Sequence, residues 1–222
     1  MDRQRGSAAG WLIGTLVGLV LLAVGADIGL RLWTESWLAG EAQQALGLHE
    51  RPDVDLHGFP FVIQFMDGVF DRADIEVEGF QQGGLVLERV SVEGRRVHFP
   101  RRALFGDAPE ATVHAKEAEA TVEVSDEAVS RYLEASDVRF SLSFSGGRVR
   151  VTGTLQGTEA SAGAEVRIEG FSLVFQDVEG AGLEFSVPLP TPLPGMRYQR
   201  VEIGEGTATI AAAFDRLVLR VS

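Results

Sequence analysis

Cysteine is absent from this chain of 222 residues. An exported domain built from it therefore carries no disulfide, no thiolate metal site and no acylated cysteine, so its stability must come from the core alone. Asparagine is absent as well, which excludes an N-glycosylation sequon, and lysine occurs once, at Lys116. The four histidines, His49, His57, His98 and His114, are scattered without metal-ligand spacing. There is no G-x-S-x-G elbow, no Walker loop and no dinucleotide fingerprint. Asp74, Glu76 and Glu78 alternate with apolar residues, which is the pattern of a solvated strand face, not of a carboxylate dyad. These absences point away from an enzyme, a metal site and a cofactor. Positive charge is also scarce, at 20 Lys+Arg against 32 Asp+Glu. The resulting field repels nucleic-acid phosphates, and no basic stripe opposes it, so nucleic acid is excluded as a partner.

What is present first is an export signal. Gly6–Ala26 is uncharged and follows Arg3 and Arg5, so the positive-inside rule leaves the N-terminus cytoplasmic and sends the rest across. Val24-Gly25-Ala26 also supplies the small residues that suit signal peptidase, with Asp27 as the new N-terminus. The expected organisation is residues 1–26 as a signal anchor or signal peptide and residues 27–222 as a single exported domain. The domain then sits outside the cytoplasm, tethered to the membrane, or released if cleavage follows Ala26. The length of the apolar run favours the anchor.

The 45% hydrophobic content supports one sizeable core. Asp27–Leu48 reads as a helix, with Leu30, Trp33, Trp37, Leu38 and Ala42 at three- and four-residue spacings. Trp33 and Trp37 suit either a membrane interface or a core. After Pro52 the period becomes two. Leu85/Leu87 and Val90/Val92 are out of phase, which predicts a bulge or a sharp bend between them. Ser125 caps a second predicted helix, Asp126–Ala135, with Asp126 and Glu127 at its positive end. Val138–Leu155 reads as a hairpin about Gly146-Gly147, setting Phe144 opposite Val149 and Leu142 opposite Val151. Gly170 shifts the phase within Val166–Phe175, which predicts a second bulge. Further strands are expected at Leu183–Val187, Arg200–Ile203, Thr207–Phe214 and Leu217–Val221. The sum is an α+β domain, a strongly curved antiparallel sheet with two helices.

The most distinctive stretch is Val54–Phe80. A strand stops at His57-Gly58-Phe59-Pro60, because proline cannot donate to a ladder. The apolar run Phe61–Met66 follows, too greasy to sit in water, and a strand resumes after Asp71. This G-F-P-F pattern, its short apolar segment and the D-R-A-D-I-E-V strand resemble the LmeA-like phospholipid-binding family of actinobacterial envelope proteins. The resemblance covers roughly Asp27–Ser222. It implies a sheet rolled around a long helix, like half of a tubular lipid-binding module, and a role in binding phospholipid non-covalently at the cell envelope.

On that resemblance, an apolar slot would be bordered by Phe59, Phe61, Phe65 and Phe70 together with the inward residues Phe140, Leu142 and Phe144. Phe-rich faces (13 Phe in all) also serve as ordinary filled cores. Arg95, Arg96, Arg101 and Arg102 form a basic island that can meet phosphate headgroups or can simply be an exposed strand end and loop. The alternative is a docking module with a closed core, whose edge strands or basic island contact an envelope protein.

Overall fold

The computed structural model describes residues 5–100, 111–136, 138, 140–155, 158–177, 184–189, 195–214 and 216–221. Arg101 and Arg102 lie outside the described residues. The chain opens with one continuous helix, α1 (Arg5–Leu46), which joins the expected membrane segment to the helix expected from Asp27 onward. No proline separates the two, and Gly25 and Gly29 at the junction do not end the helix, so the periodicity changes while the backbone does not. Gly14–Gln44 is the one helical stretch among the described residues long and apolar enough to cross a membrane. Leu16, Leu19, Leu22 and Val24 are exposed on it.

Among the described residues, twelve strands and two further helices follow. β1 (Asp53–His57), β2 (Val69–Gln82), β3 (Leu85–His98), β4 (Ala111–Ser125), β10 (Met196–Ile203), β11 (Thr207–Phe214) and β12 (Leu217–Val221) form a seven-stranded sheet. Its order is β1-β2-β3-β4-β11-β10, and β12 continues β11 along the same edge of β4. β5 (Phe140–Ser145), β6 (Arg148–Leu155), β7 (Thr158–Glu169), β8 (Ser172–Asp177) and β9 (Glu184–Pro188) form a five-stranded meander. Every pairing is antiparallel, and the fold is α+β with a curled half-barrel sheet. The strands read from sequence as one sheet thus divide into two. A period of two identifies strands but carries no information about which edges meet.

The hairpin β5–β6 has the expected register, Phe144 opposite Val149 and Leu142 opposite Val151, and Gly146 and Gly147 take φ of 59° and 77°. Of the other two irregularities, one departs from expectation and the other is the sharp bend expected as one of two alternatives. Gly170 is not a bulge: it opens the two-residue turn between β7 and β8, with Glu169 opposite Ser172. The phase change between Leu87 and Val90 also occurs without a register shift. Phe80 faces Leu87 and Glu78 faces Arg89 in one unbroken register, and the kink is carried across the ladder by Gly79 at φ 61°. Glycine accepts that left-handed geometry at no steric cost.

Two hydrophobic clusters result. The first lies between the two sheets and around α3 (Asp126–Ala135), which buries Ala128, Val129 and Leu133. The Ala128 amide donates to Ser125 Oγ at 3.3 Å, the cap expected from sequence. The second cluster fills the curl of the larger sheet beneath α1 and α2 (Phe61–Asp67). Tyr198 packs against both. Burial pushes its phenol up to about 12, from an ordinary value near 10. The neutral form is therefore the one folding favours. That contribution is fully present below pH 10 and is lost as pH rises from about 10 to 12. Denaturant unfolding of the native chain is expected to weaken across this window, and Tyr198→Phe is expected to flatten that slope.

Candidate functional site

The G-F-P-F segment owes its shape to α1. Asp27, buried on that helix, accepts the Phe61 amide at 3.0 Å and the Val62 amide at 2.8 Å. Pro60, at the N-cap of α2, makes no side-chain cap, so a carboxylate 34 residues upstream in sequence does that work. About two turns further on, Glu35 accepts the Leu56 amide at 2.8 Å and the Arg31 guanidinium at 2.7 Å. It thereby closes the open edge of β1. Behind the proline, Gln64 accepts the Asp71 amide at 2.8 Å and lies over Gly58, where a Cβ would come within 1.9 Å of Gln64 Nε2. Gly58 also has φ 124°, so the glycine is required twice.

Phe61, Phe65 and Phe70 are buried together, with Phe61 stacked on Phe70 at 5.5 Å between centroids and Phe70 edge-on to Phe99 at 5.8 Å. Phe59 is 73% exposed. Phe140, Leu142 and Phe144 lie in the other cluster, where Phe140 and Phe175 both stack on Phe185. The seven apolar candidates therefore divide into an α2 group and an inter-sheet group.

The basic island also divides. Arg95 pairs with Glu93 at 3.0 Å. Arg96, at φ 49°, shares a small polar recess with Lys116, Asp71 and Glu117. Both arginines are at the α2 end of the larger sheet. Nearby, His57 Nε2 contacts Asp74 at 2.9 Å. Burial alone would raise the Asp74 carboxyl, but hydrogen bonds from Arg72 and His57 outweigh it and hold the group below its usual range. His57 is thus a strand-end histidine with a local partner. Among the described residues no group of three potential ligands gathers to hold a metal.

Among the described residues, two clefts are large enough for an organic ligand. One, of about 1080 Å³, lies between the C-terminal end of α1 and the β2–β3 hairpin, and its rim carries Glu50, Glu78, Glu88 and Glu123 against Arg89 alone. Arg89 is already engaged by Glu76 and Glu78. The other, of about 510 Å³, opens where β10 crosses β6 and β7. Val149, Ala164, Val166, Val201 and Ile203 line it, with Arg148 and Glu165 also on its wall. It leads into the inter-sheet cluster that holds Leu142 and Phe144. Its volume is in the range of small-molecule pockets, and apolar side chains share its wall with polar groups in about equal measure. Sequence reading missed these residues as a set. The alternation Val201/Ile203 was legible, but the strand that faces it was not.

The family model for LmeA-like phospholipid-binding proteins matches residues 25–213, and the chain belongs to that family. The family is a lipid-binding one, not known as catalytic. No curated protein and no solved structure gives a match.

Two outcomes check this geometry. Asp27→Ala is expected to destabilise the domain by about 1–2 kcal/mol and to speed hydrogen exchange at the Phe61 and Val62 amides. Gly58→Ala is expected to cost about 1–3 kcal/mol through strain and clash. Adding Gln64→Ala should recover the clash but not the backbone part, read by denaturant unfolding of both variants.

Proposed function

We propose that this protein is a non-catalytic phospholipid-binding protein of a bacterial cell envelope, held at the membrane by α1, with the domain on the extracytoplasmic side. In this reading an acyl chain enters between β7 and β10 and rests on Val149, Ala164, Val166, Val201 and Ile203. Phe140, Leu142 and Phe144 form the apolar floor beyond. The single observation that supports it is this cleft of about 510 Å³, lined in part by apolar side chains, in a member of a phospholipid-binding family. The larger cleft suits an anionic headgroup poorly, because its rim is acidic.

The Arg95–Arg96 pair stands at the other end of the sheet from the β7–β10 cleft. In the ladder, Arg95 faces Glu117, whereas the strand reaches the inter-sheet cluster only near Val90, opposite Val122. These arginines therefore suit the headgroups of the membrane itself better than the headgroup of a bound lipid.

A second reading, a docking module with a closed core, draws on the complete burial of Phe61, Phe70 and Phe175. Filling the cleft separates the two. The full chain and an Ala164→Trp variant are extracted from bacterial membranes in mild detergent, and lipid per protein is measured by mass spectrometry. Lipid surrounding α1 is common to both. The expected outcome is one lipid fewer per chain in the variant, with unchanged thermal unfolding. Equal lipid content in the two proteins would move the assignment to the docking module.

A further inference from the structure

The short helix α2 is apolar on both of its faces. Phe61 and Phe65 point into the core, whereas Val62, Ile63 and Met66 are 45%, 55% and 59% exposed. Phe59, just before it, is the most exposed large apolar side chain among the described residues. A soluble surface does not sustain such a group without a partner. The position of α2 indicates what that partner is. Its first two amides are bound by Asp27, and Asp27 is the first charged residue after the uncharged run Gly6–Ala26. At 1.5 Å per residue that run spans about 31 Å, the thickness of a hydrocarbon core. The hydrogen bonds therefore hold α2 level with the point where α1 leaves the membrane. Beside it on α1, Leu32 and Trp33 are 60% and 56% exposed, and an indole suits the interfacial zone.

We infer that α2 and the Phe59 tip form a membrane-contact surface, inserting Phe59, Val62, Ile63 and Met66 into the interfacial layer of the same bilayer that α1 crosses. The domain is then seated on the membrane instead of swinging beneath it on a tether. This rests on the reading of α1 as an anchor, and it is independent of what occupies the β7–β10 cleft. The carboxylate of Asp27 stays useful at that depth because both of its oxygens are occupied by backbone donors. Glu35, about two turns further from the membrane, holds β1 in the same way. The two ties fix the angle between α1 and the domain, and that angle brings the α2 patch to the surface.

The absence of cysteine makes the test direct. The full chain is reconstituted into vesicles of phosphatidylcholine and phosphatidylglycerol with a single environment-sensitive fluorophore at Ile63→Cys. Val20→Cys in α1 and Glu134→Cys on the exposed face of α3 serve as controls. Lipids brominated at shallow or deep acyl positions then report depth. The expected result is quenching of the position 63 probe by roughly half with shallow bromines and less with deep ones, as for a group about 5–10 Å below the headgroups. The position 20 probe should respond most to deep bromines, and the position 134 probe to neither. An unquenched probe at 63 beside a quenched probe at 20 would overturn the inference while leaving the anchor intact. An unquenched probe at 20 would remove the anchor reading and this inference with it. A blue-shifted but unquenched probe at 63 would mean that protein covers the patch, and it too would overturn the proposal.

Discussion

Open backbone donors are the constraint on which this architecture turns. A sheet edge presents unpaired amides, and a helix N-terminus presents several more, each costly if buried without an acceptor. Here helices carry the acceptors. Glu35 on α1 takes the Leu56 amide of β1, and Asp27 on α1 takes the first amides of α2. On the other side of the domain, α3 does the same for β5. The Leu142 amide donates to Ser130 Oγ at 2.8 Å and the Phe144 amide to the Asp126 carboxylate at 3.0 Å. One edge strand of each sheet, β1 and β5, is thus tied to a helix by short, directional bonds, and apolar burial then fills the space those bonds define. Losing one acceptor leaves a buried donor unsatisfied, which costs more than the bond itself contributes.

Burial is organised around two clusters instead of one, and the difference decides where a ligand can go. The α2 cluster is filled by stacked phenylalanines and by alanines along β4 and β11, leaving no opening beside Phe61. The inter-sheet cluster is bounded by strands from two different sheets, and where β10 diverges from β6 and β7 the packing parts into a cleft. The loop at Glu205 ties the two sheets at the rim of this cleft, through the Gly146 amide at 2.8 Å and the Ser145 hydroxyl at 3.0 Å, next to Gly147, Arg148 and Ile203 on its wall. The sheets are therefore held together beside the cleft.

Charge plays a different part from burial. The ion pairs on the larger sheet, such as Arg72 with Asp74 and Arg89 with Glu76, lie on exposed faces and contribute little stability individually. Together with a like pair on the smaller sheet, their effect is to neutralise Arg72, Arg89, Arg95, Arg167 and Arg200 with carboxylates on the same or the adjoining strand. Against that background the exposed apolar patch of α2 stands beside a recess where Arg96 and Lys116 lie close together. Apolar side chains and local positive charge at one end, and acidic rims at the other, give the domain a polarity that its net charge of −12 conceals.

Local features were legible in the sequence because their causes are local. Ser125 begins α3, Gly146-Gly147 turns the β5–β6 hairpin in the expected register, and the uncharged run before Asp27 marks a membrane-length helix. The G-F-P-F pattern marked the right segment and the right family. It did not reveal that Gln64 packs over Gly58, or that the run after Pro60 is a helix capped from α1, since a capping carboxylate so far away in sequence leaves no pattern. Gly170 was misread for a similar reason: a phase change looks the same whether it comes from a bulge or from a turn. Alternation therefore determined that the chain makes antiparallel strands with one apolar face each. Only the tertiary structure decided that those faces close into two clusters and part at β7 and β10, because pairing of distant edges depends on shape and on hydrogen-bond acceptors brought from elsewhere in the chain.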